Sequence, residues 1–336
     1  MPYNKQIRTN FGGANTGTPP YGNFFGYGSL GDVTYSASTS LVNSASDSGI
    51  FESHYASLTV NSSVTLNLQN RSRAWIIYVQ GDCTINGSIT MSTGASAVAS
   101  QAVNIRRHGV NGYNSTSTLV EASSGTNYTC PAAGANGGAS QTGDGNGTVG
   151  SAGTNGQTGG GGSGGAAGEG DSGAGAAGTA YSGGAGGGGG NSSGNGTAGG
   201  ANGGAGGNGG TGIRGAGGGA GNPGGTFTGS GASNGTSGTG GNIILIVGGN
   251  LTIGGSAVIS ANGSAGGTGG IVTGYPSGGG GSGGGRVIVL YAGTLSNSGT
   301  IQANGGSGGT SAYRNGGAGG AGSVTSPTLI SKALNR

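Results

Sequence analysis

Few residues in this chain could do chemistry, and their spacing argues against a reaction centre. The acids are Asp32, Asp47, Glu52, Asp82, Glu121, Asp144, Glu169 and Asp171, and the histidines are His54 and His108. A glycan hydrolase or lyase needs two convergent carboxylates, or a carboxylate beside Arg or Lys, on one face. Glu169 and Asp171 come nearest, but they stand in the turn sequence Gly168-Glu169-Gly170-Asp171, with little around them to raise a pKa or exclude water. The two histidines are far apart and no serine sits in a nucleophile elbow. Cys83 and Cys130 make no CxxC or metal spacing, and Cys83 lies in a strand pattern where a buried thiol is the expected role. Calcium-binding Gly-Gly-x-Gly-x-Asp repeats lack their Asp. The many G-x-G-x-x-G matches follow from composition, since none follows a strand and opens a helix. The expectation is a protein that is not an enzyme and uses no metal or cofactor.

The elements that would position any binding residues must be built from an unusual composition. Of 336 residues, 93 are glycine and only 6% are charged, which excludes a single conventional core. The net charge of +3 is spread out, with no basic run longer than Arg106-Arg107, so no nucleic-acid or membrane-surface partner is expected. The first residues show no apolar signal region and no stretch of 18 apolar residues occurs, so neither Sec export nor membrane insertion is expected. Triplets such as Asn61-Ser62-Ser63 are common in so Asn- and Ser-rich a chain and imply no glycosylation here.

Glycine falls on every third position from Gly147 to Gly168 and again from Gly200 to Gly224. A three-residue repeat matches a polyproline-II-type helix, in which a glycine edge lets neighbouring strands approach closely. Collagen shares the period but needs abundant proline, and Pro223 is the only proline between Gly134 and Gly241. A disordered Gly/Ser linker is the other alternative, yet it has no reason to keep register through consecutive triplets. Short extended helices joined by turns and packed in a bundle fit the tract best.

Outside the tract, three segments repeat: Ile77 to Gly94, Leu245 to Asn262 and Val287 to Asn304. With Ile85, Ile253 and Leu295 aligned, apolar positions coincide at Met91, Ile259 and Ile301. Alternation at period two, interrupted by Asn, Gly and Ser, predicts short strands separated by tight turns. The predicted fold is all-β, a parallel β-helix or β-solenoid with almost no α-helix; a sandwich or jelly roll is the alternative. An earlier copy, Leu58 to Leu68, starts the stack with Leu58, Val60, Val64, Leu66 and Leu68 inward. Because the copies flank the glycine tract, residues on its two sides must meet. The expected divisions are an extended aromatic arm at 1–50, a first solenoid part at 51–130, a polyglycine-II-like insertion at 131–241, a second part at 242–330 and a basic tail at 331–336. The arm crowds Tyr3, Phe11, Tyr21, Phe24, Phe25, Tyr27 and Tyr35 into an aperiodic segment. Such aromatics are either interface anchors or a strap over the first coil.

This order of features resembles virion proteins of tailed bacteriophages, cyanophages included. The resemblance is carried by coils reading Gly31-Asp32-Val33-Thr34, Leu58-Thr59-Val60 and Trp75-Ile76-Ile77-Tyr78-Val79-Gln80-Gly81, a glycine-rich insertion and closing Gly-Thr-Leu coils, over most of residues 31–310. The tract is also similar to the polyglycine-II bundle of a T-even phage adhesin, whose specificity lies in aromatic-rich loops. This chain departs from that pattern, offering only Tyr181 and Phe227 there and Tyr275 just beyond. The resemblance implies a virion-located structural protein, a tail fibre or tail-tip adhesin. It would dock on other virion proteins through Tyr3, Phe11, Tyr21, Phe24, Phe25 and Tyr27. It would meet a host polysaccharide or outer-membrane receptor through Tyr181, Arg214, Phe227 and Tyr275. Fibres are commonly homotrimers, although no heptad occurs here. The alternatives are a capsid decoration or head-fibre protein, a polysaccharide depolymerase, and an ice-binding or cell-surface protein. Ice binding requires a regular threonine array, whereas Thr in the linear sequence is scattered among Ser, Asn and Ala.

Overall fold

Period-two alternation becomes strands, and the tight turns between them set three strand directions. The computed structural model describes residues 24–42, 50–68, 72, 74–91, 240–269, 278–311 and 315–330, with two further short strands at 103–105 and 126–128. The first circuit of the chain comprises β1 (Asp32–Tyr35), β2 (Thr39–Leu41) and β3 (Ile50–Tyr55). The second comprises β4 (Ser57–Val60), β5 (Thr65–Leu68) and β6 (Ala74–Val79). The third begins with β7 (Cys83–Ile85) and β8 (Ser88–Thr90). After the antiparallel pair β9 (Val103–Ile105) and β10 (Thr126–Tyr128), it closes with β11 (Asn242–Val247). The fourth is β12 (Leu251–Ile253), β13 (Val258–Ser260) and β14 (Arg286–Tyr291). The fifth is β15 (Leu295–Asn297), β16 (Thr300–Gln302) and the divided strand β17 (Ser323–Val324) and β18 (Thr328–Leu329).

Each circuit gives one strand to each of three sheets, ordered β1-β4-β7-β12-β15, β2-β5-β8-β13-β16 and β3-β6-β11-β14, with β17 and β18 both on β14. Every pairing in these sheets is parallel. Pro327 interrupts the last strand, where a residue without an N–H is tolerated because the strand is an edge. The described residues are all-β and contain no helix. The flanks of the glycine tract do meet, through β6–β11, β7–β12 and β8–β13.

Side chains of one strand stack on the equivalent side chains of the next. Val60, Ile85 and Ile253 form one inward row, Leu66, Ile89 and Ile259 another, and Trp75, Ile243 and Val287 a third, all buried. Burying each aliphatic group contributes about 1.5–3 kcal/mol, available only when a neighbouring circuit covers it. Trp75 tucks its ring 6.3 Å from Phe51 and donates its indole N–H to Ser53 Oγ at 3.1 Å, so its one polar atom is satisfied inside the core.

Three sequence expectations change. The stack starts one circuit earlier than Leu58, because β1 and β2 lie inside the stretch expected to be an arm. The repeat alignment is off by two in places: Ile253 pairs with Asn297 and Leu251 with Leu295, while Ile89 pairs with Ile259. The cause is the β12–β13 turn, residues 254–257, which is two residues longer than its counterparts at 86–87 and 298–299. A two-residue slip keeps every side chain on its face, so the inward pattern still read correctly. Finally, β6 and β11 are buried on both faces, and a second apolar cluster of Ala74, Ile76, Tyr78, Ile244, Ile246, Ile288 and Leu290 lies outside the third sheet.

Candidate interaction surfaces

Residues 24–31 run across the edge of three circuits. Phe24 and Phe25, edge to face at 5.4 Å, are 3% and 1% exposed and belong to the outer cluster. Gln80 donates its amide to the Gly26 carbonyl at 2.9 Å, and Leu30 donates its N–H to the His54 carbonyl. Gly26 and Gly28 have φ of 85° and 60°, and a Cβ at either would overlap Tyr78 or Gln80, so only glycine lets the strap lie this close. His54 stacks on Tyr78 at 4.7 Å and 9°, and the tilted Tyr27 ring lies 5.3 Å from it. Its Nδ1 accepts the Tyr27 N–H at 3.4 Å, which places the ring proton on Nε2, facing Glu52 Oε2 at 3.4 Å. The His54 ring, in contact with Tyr78 and Tyr27, helps fix the strap to the third sheet.

The second surface is a lattice of glycine threads leaving the corner between the second and third sheets. Residues 261–269 run outward and 278–285 return; 303–310 run outward and 316–322 return. Gly263, Gly266 and Gly269 donate to the carbonyls of Asn304, Ser307 and Thr310, one bond every three residues. The thread 278–285 bonds to three others. Gly279, Ser282 and Gly285 donate to the outward thread at Gly267, Ser264 and Ala261; Gly281 and Gly284 donate to Gly317 and Gly320; Ser282 and Gly279 accept from Gly306 and Gly309. A sheet offers partners on two sides, whereas this thread also takes a fourth contact, Gly240 N–H to the Gly283 carbonyl. The three-residue period is that of a polyproline-II-type chain, and at about 3.1 Å per residue a nine-residue thread spans about 25 Å. A Cβ at Gly284 would overlap the Ala303 carbonyl, and one at Gly306 the Ser264 carbonyl.

The remaining chemistry is dispersed. Cys83 is a free buried thiol, and burial pushes its pKa up to about 12, with the neighbouring Asp82 charge adding to the effect. Asp32 accepts from Ser57 Oγ at 2.7 Å and Asp82 from the Asn250 N–H at 2.7 Å. Among the described residues, no three His, Cys, Asp or Glu side chains gather as a metal site would require, and no helix is long and apolar enough to cross a membrane.

Of the residues expected to dock on a virion, Phe24 and Phe25 are consumed by their own sheet and act as a strap, while Tyr27 is 56% exposed. Tyr3, Phe11 and Tyr21 lie outside the described residues, as do Tyr181, Arg214, Phe227, Tyr275, Glu169, Asp171, His108 and Cys130. Sequence reasoning missed the threads at 261–322, assigning them to the second strand region. Their signal was present as glycine at 263, 266 and 269, at 278, 281 and 284, and at 316, 319 and 322. The strap is one of the two readings of the aromatic arm, and it lies over the third sheet, where the apolar runs of β6 and β11 mark strands covered on both faces. No protein family, curated protein or solved structure matches the chain.

Proposed function

We propose that the protein is a non-enzymatic virion component of a tailed phage, a tail fibre or tail-tip adhesin in which a three-sided parallel β-solenoid carries a polyglycine-II bundle. The observation that carries this reading is the thread lattice issuing from one corner of the stack. A bundle bonded mainly through its backbone, with Ser282, Asn262 and Asn315 adding side-chain acceptors, presents few functional groups of its own, but it is regular and is anchored in register with the strands. That construction suits a spacer that displays its turns.

The chain leaves β8 at Met91 and returns to β11 through Gly240 and Gly241 at the corner where the described threads start, Met91 lying against Gly241. The last glycines of the tract at 131–241 join the lattice, with Gly240 bonded to Gly283. On this reading the tract supplies further threads, and Tyr181, Arg214, Phe227 and Tyr275 meet a host polysaccharide or outer-membrane receptor. Tyr275 falls in the sequence between Gly269 and Gly278, the outer ends of two antiparallel threads. Docking on other virion proteins falls to Tyr27 together with Tyr3, Phe11 and Tyr21.

The test is immunogold labelling of intact particles with antibody raised against the full chain, followed by alanine substitution of Tyr181, Arg214, Phe227 and Tyr275. Label at the tail end and lost adsorption support the adhesin. Label over the head moves the assignment to a capsid decoration protein. Unlabelled particles overturn the virion reading.

A further inference from the structure

Threonines scattered in the sequence become a row in the fold. Thr34 pairs with Thr59, Thr59 with Thr84, Thr84 with Thr252, and Thr252 with Ser296, one per circuit along the first sheet. Thr84 and Thr252 are neighbours despite the whole glycine insertion between them. Their flanking residues Leu58, Val60, Cys83, Ile85, Leu251 and Ile253 are buried inward, so alternation turns the threonines outward. Adjacent rungs stand about 4.8 Å apart, fixed by the backbone ladder.

A second outward column, about 6.6 Å away along the strands, behaves differently. There the polar groups bind one another: Ser57 to Asp32, the Asn250 N–H to Asp82, and Thr294 Oγ1 to Asn250 Oδ1 at 2.8 Å. The hydroxyls of Thr34, Thr59, Thr84 and Thr252 have no hydrogen-bond partner among the described residues. One column is therefore committed to the protein, while the other is left open to what lies outside.

We propose that this outer face of the first sheet binds ice through the row Thr34, Thr59, Thr84 and Thr252. A single side-chain type repeated at a fixed step is matched by a ligand that repeats at the same step, and the rung spacing is close to the repeat of oxygen rows in ice. Each Thr offers a hydroxyl that can enter the water lattice and a methyl that seats against it. Its β-branched χ1 is already restricted, so little rotamer freedom is lost on binding. The outward positions of β1, β4, β7, β12 and β15 carry no aromatic ring for a sugar to stack on and no basic group for a phosphate. This inference is independent of the virion assignment and stands or falls without it.

The test is partition of the fluorescently labelled full chain into a slowly grown ice hemisphere, with inspection of crystal shape. The unmodified chain should enter the ice and facet the crystals, and the double variant Thr59→Tyr, Thr84→Tyr should be excluded to the level of a non-binding control protein. The matched pair Thr65→Tyr, Ser88→Tyr, also outward but on the second sheet, should enter the ice like the unmodified chain. Tyrosine is well accepted on a strand, and circular dichroism checks that each variant folds. Exclusion of the unmodified chain, or equal entry of both double variants, overturns the proposal.

Discussion

The strand stack and the glycine lattice meet at one corner and are held together by opposite means. In the stack, cohesion comes from side chains: Trp75, Ile77, Leu245 and Val289 fill the interior, and Ile76 and Ile246 fill the outer cluster. In the lattice, cohesion comes from backbone bonds between threads whose third residues have no room for a Cβ. The difference teaches what each region cannot tolerate. The stack is harmed by removing atoms and the lattice by adding them.

The largest expected effect is removal inside the stack. Trp75→Ala deletes the biggest buried side chain and leaves Ser53 Oγ without its indole donor. Urea unfolding should show a loss of about 3–5 kcal/mol. A loss below about 1 kcal/mol, the level of ordinary surface changes, would break the comparison, because the interior would then not depend on filling.

Alkali should weaken the stack next. Burial pushes Tyr35 and Tyr55 up from 10.0, and Cys83 from 9.0 up to about 12. All three groups are neutral when protonated, so above pH 9 the unfolded chain gives up protons that the folded chain keeps. Stability is therefore complete below pH 9 and falls as pH rises toward 12. Cys83 alone accounts for on the order of 3 kcal/mol by pH 11. Urea midpoints at pH 8 and 11 measure the fall, and Cys83→Ala should flatten it. An unchanged slope in that variant would remove the thiol from the account.

Addition inside the lattice comes third. Gly284→Val drives a side chain into the Ala303 carbonyl and disturbs the bond from Gly284 to Gly320. With two or three backbone bonds lost at about 1 kcal/mol each, the cost is about 2–3 kcal/mol and should stay local. Hydrogen exchange should accelerate at Gly263, Gly266 and Gly306 while Ile77 and Val79 remain protected. Equal acceleration in both regions would show that lattice and stack unfold as one unit.

How far the sequence disclosed this arrangement depended on which kind of cohesion was at work. Inward rows were legible because Leu58, Val60, Val64, Leu66 and Leu68 alternate, and all five are buried. The threonine row was not legible, because its register depends on turn lengths and on an insertion across which β7 pairs with β12. The threads at 261–322 were legible in their glycine period but were masked by neighbouring strands. Phe24 and Phe25 read equally well as anchors for a partner or for the chain itself, and only the outer face of β6 and β11 decides between them.

The smallest effect sharpens the comparison most, because it uses glycine in the stack itself. Gly255 sits in the long β12–β13 turn, where an added Cβ meets nothing nearer than Ser298 Oγ at 3.8 Å. Its φ is not positive; among the described residues only Gly26, Gly28, Gly31 and Ser63 are in that region. Alanine there fits the folded turn and narrows the unfolded ensemble, so Gly255→Ala should stabilise by about 0.5 kcal/mol. The same substitution at Gly284 should destabilise, since its Cβ still overlaps a carbonyl. Melting temperatures of the two single variants therefore should move in opposite directions. If both fall, glycine is required in the stack's turns as much as in the threads, and the contrast between filling and close approach no longer separates the two regions.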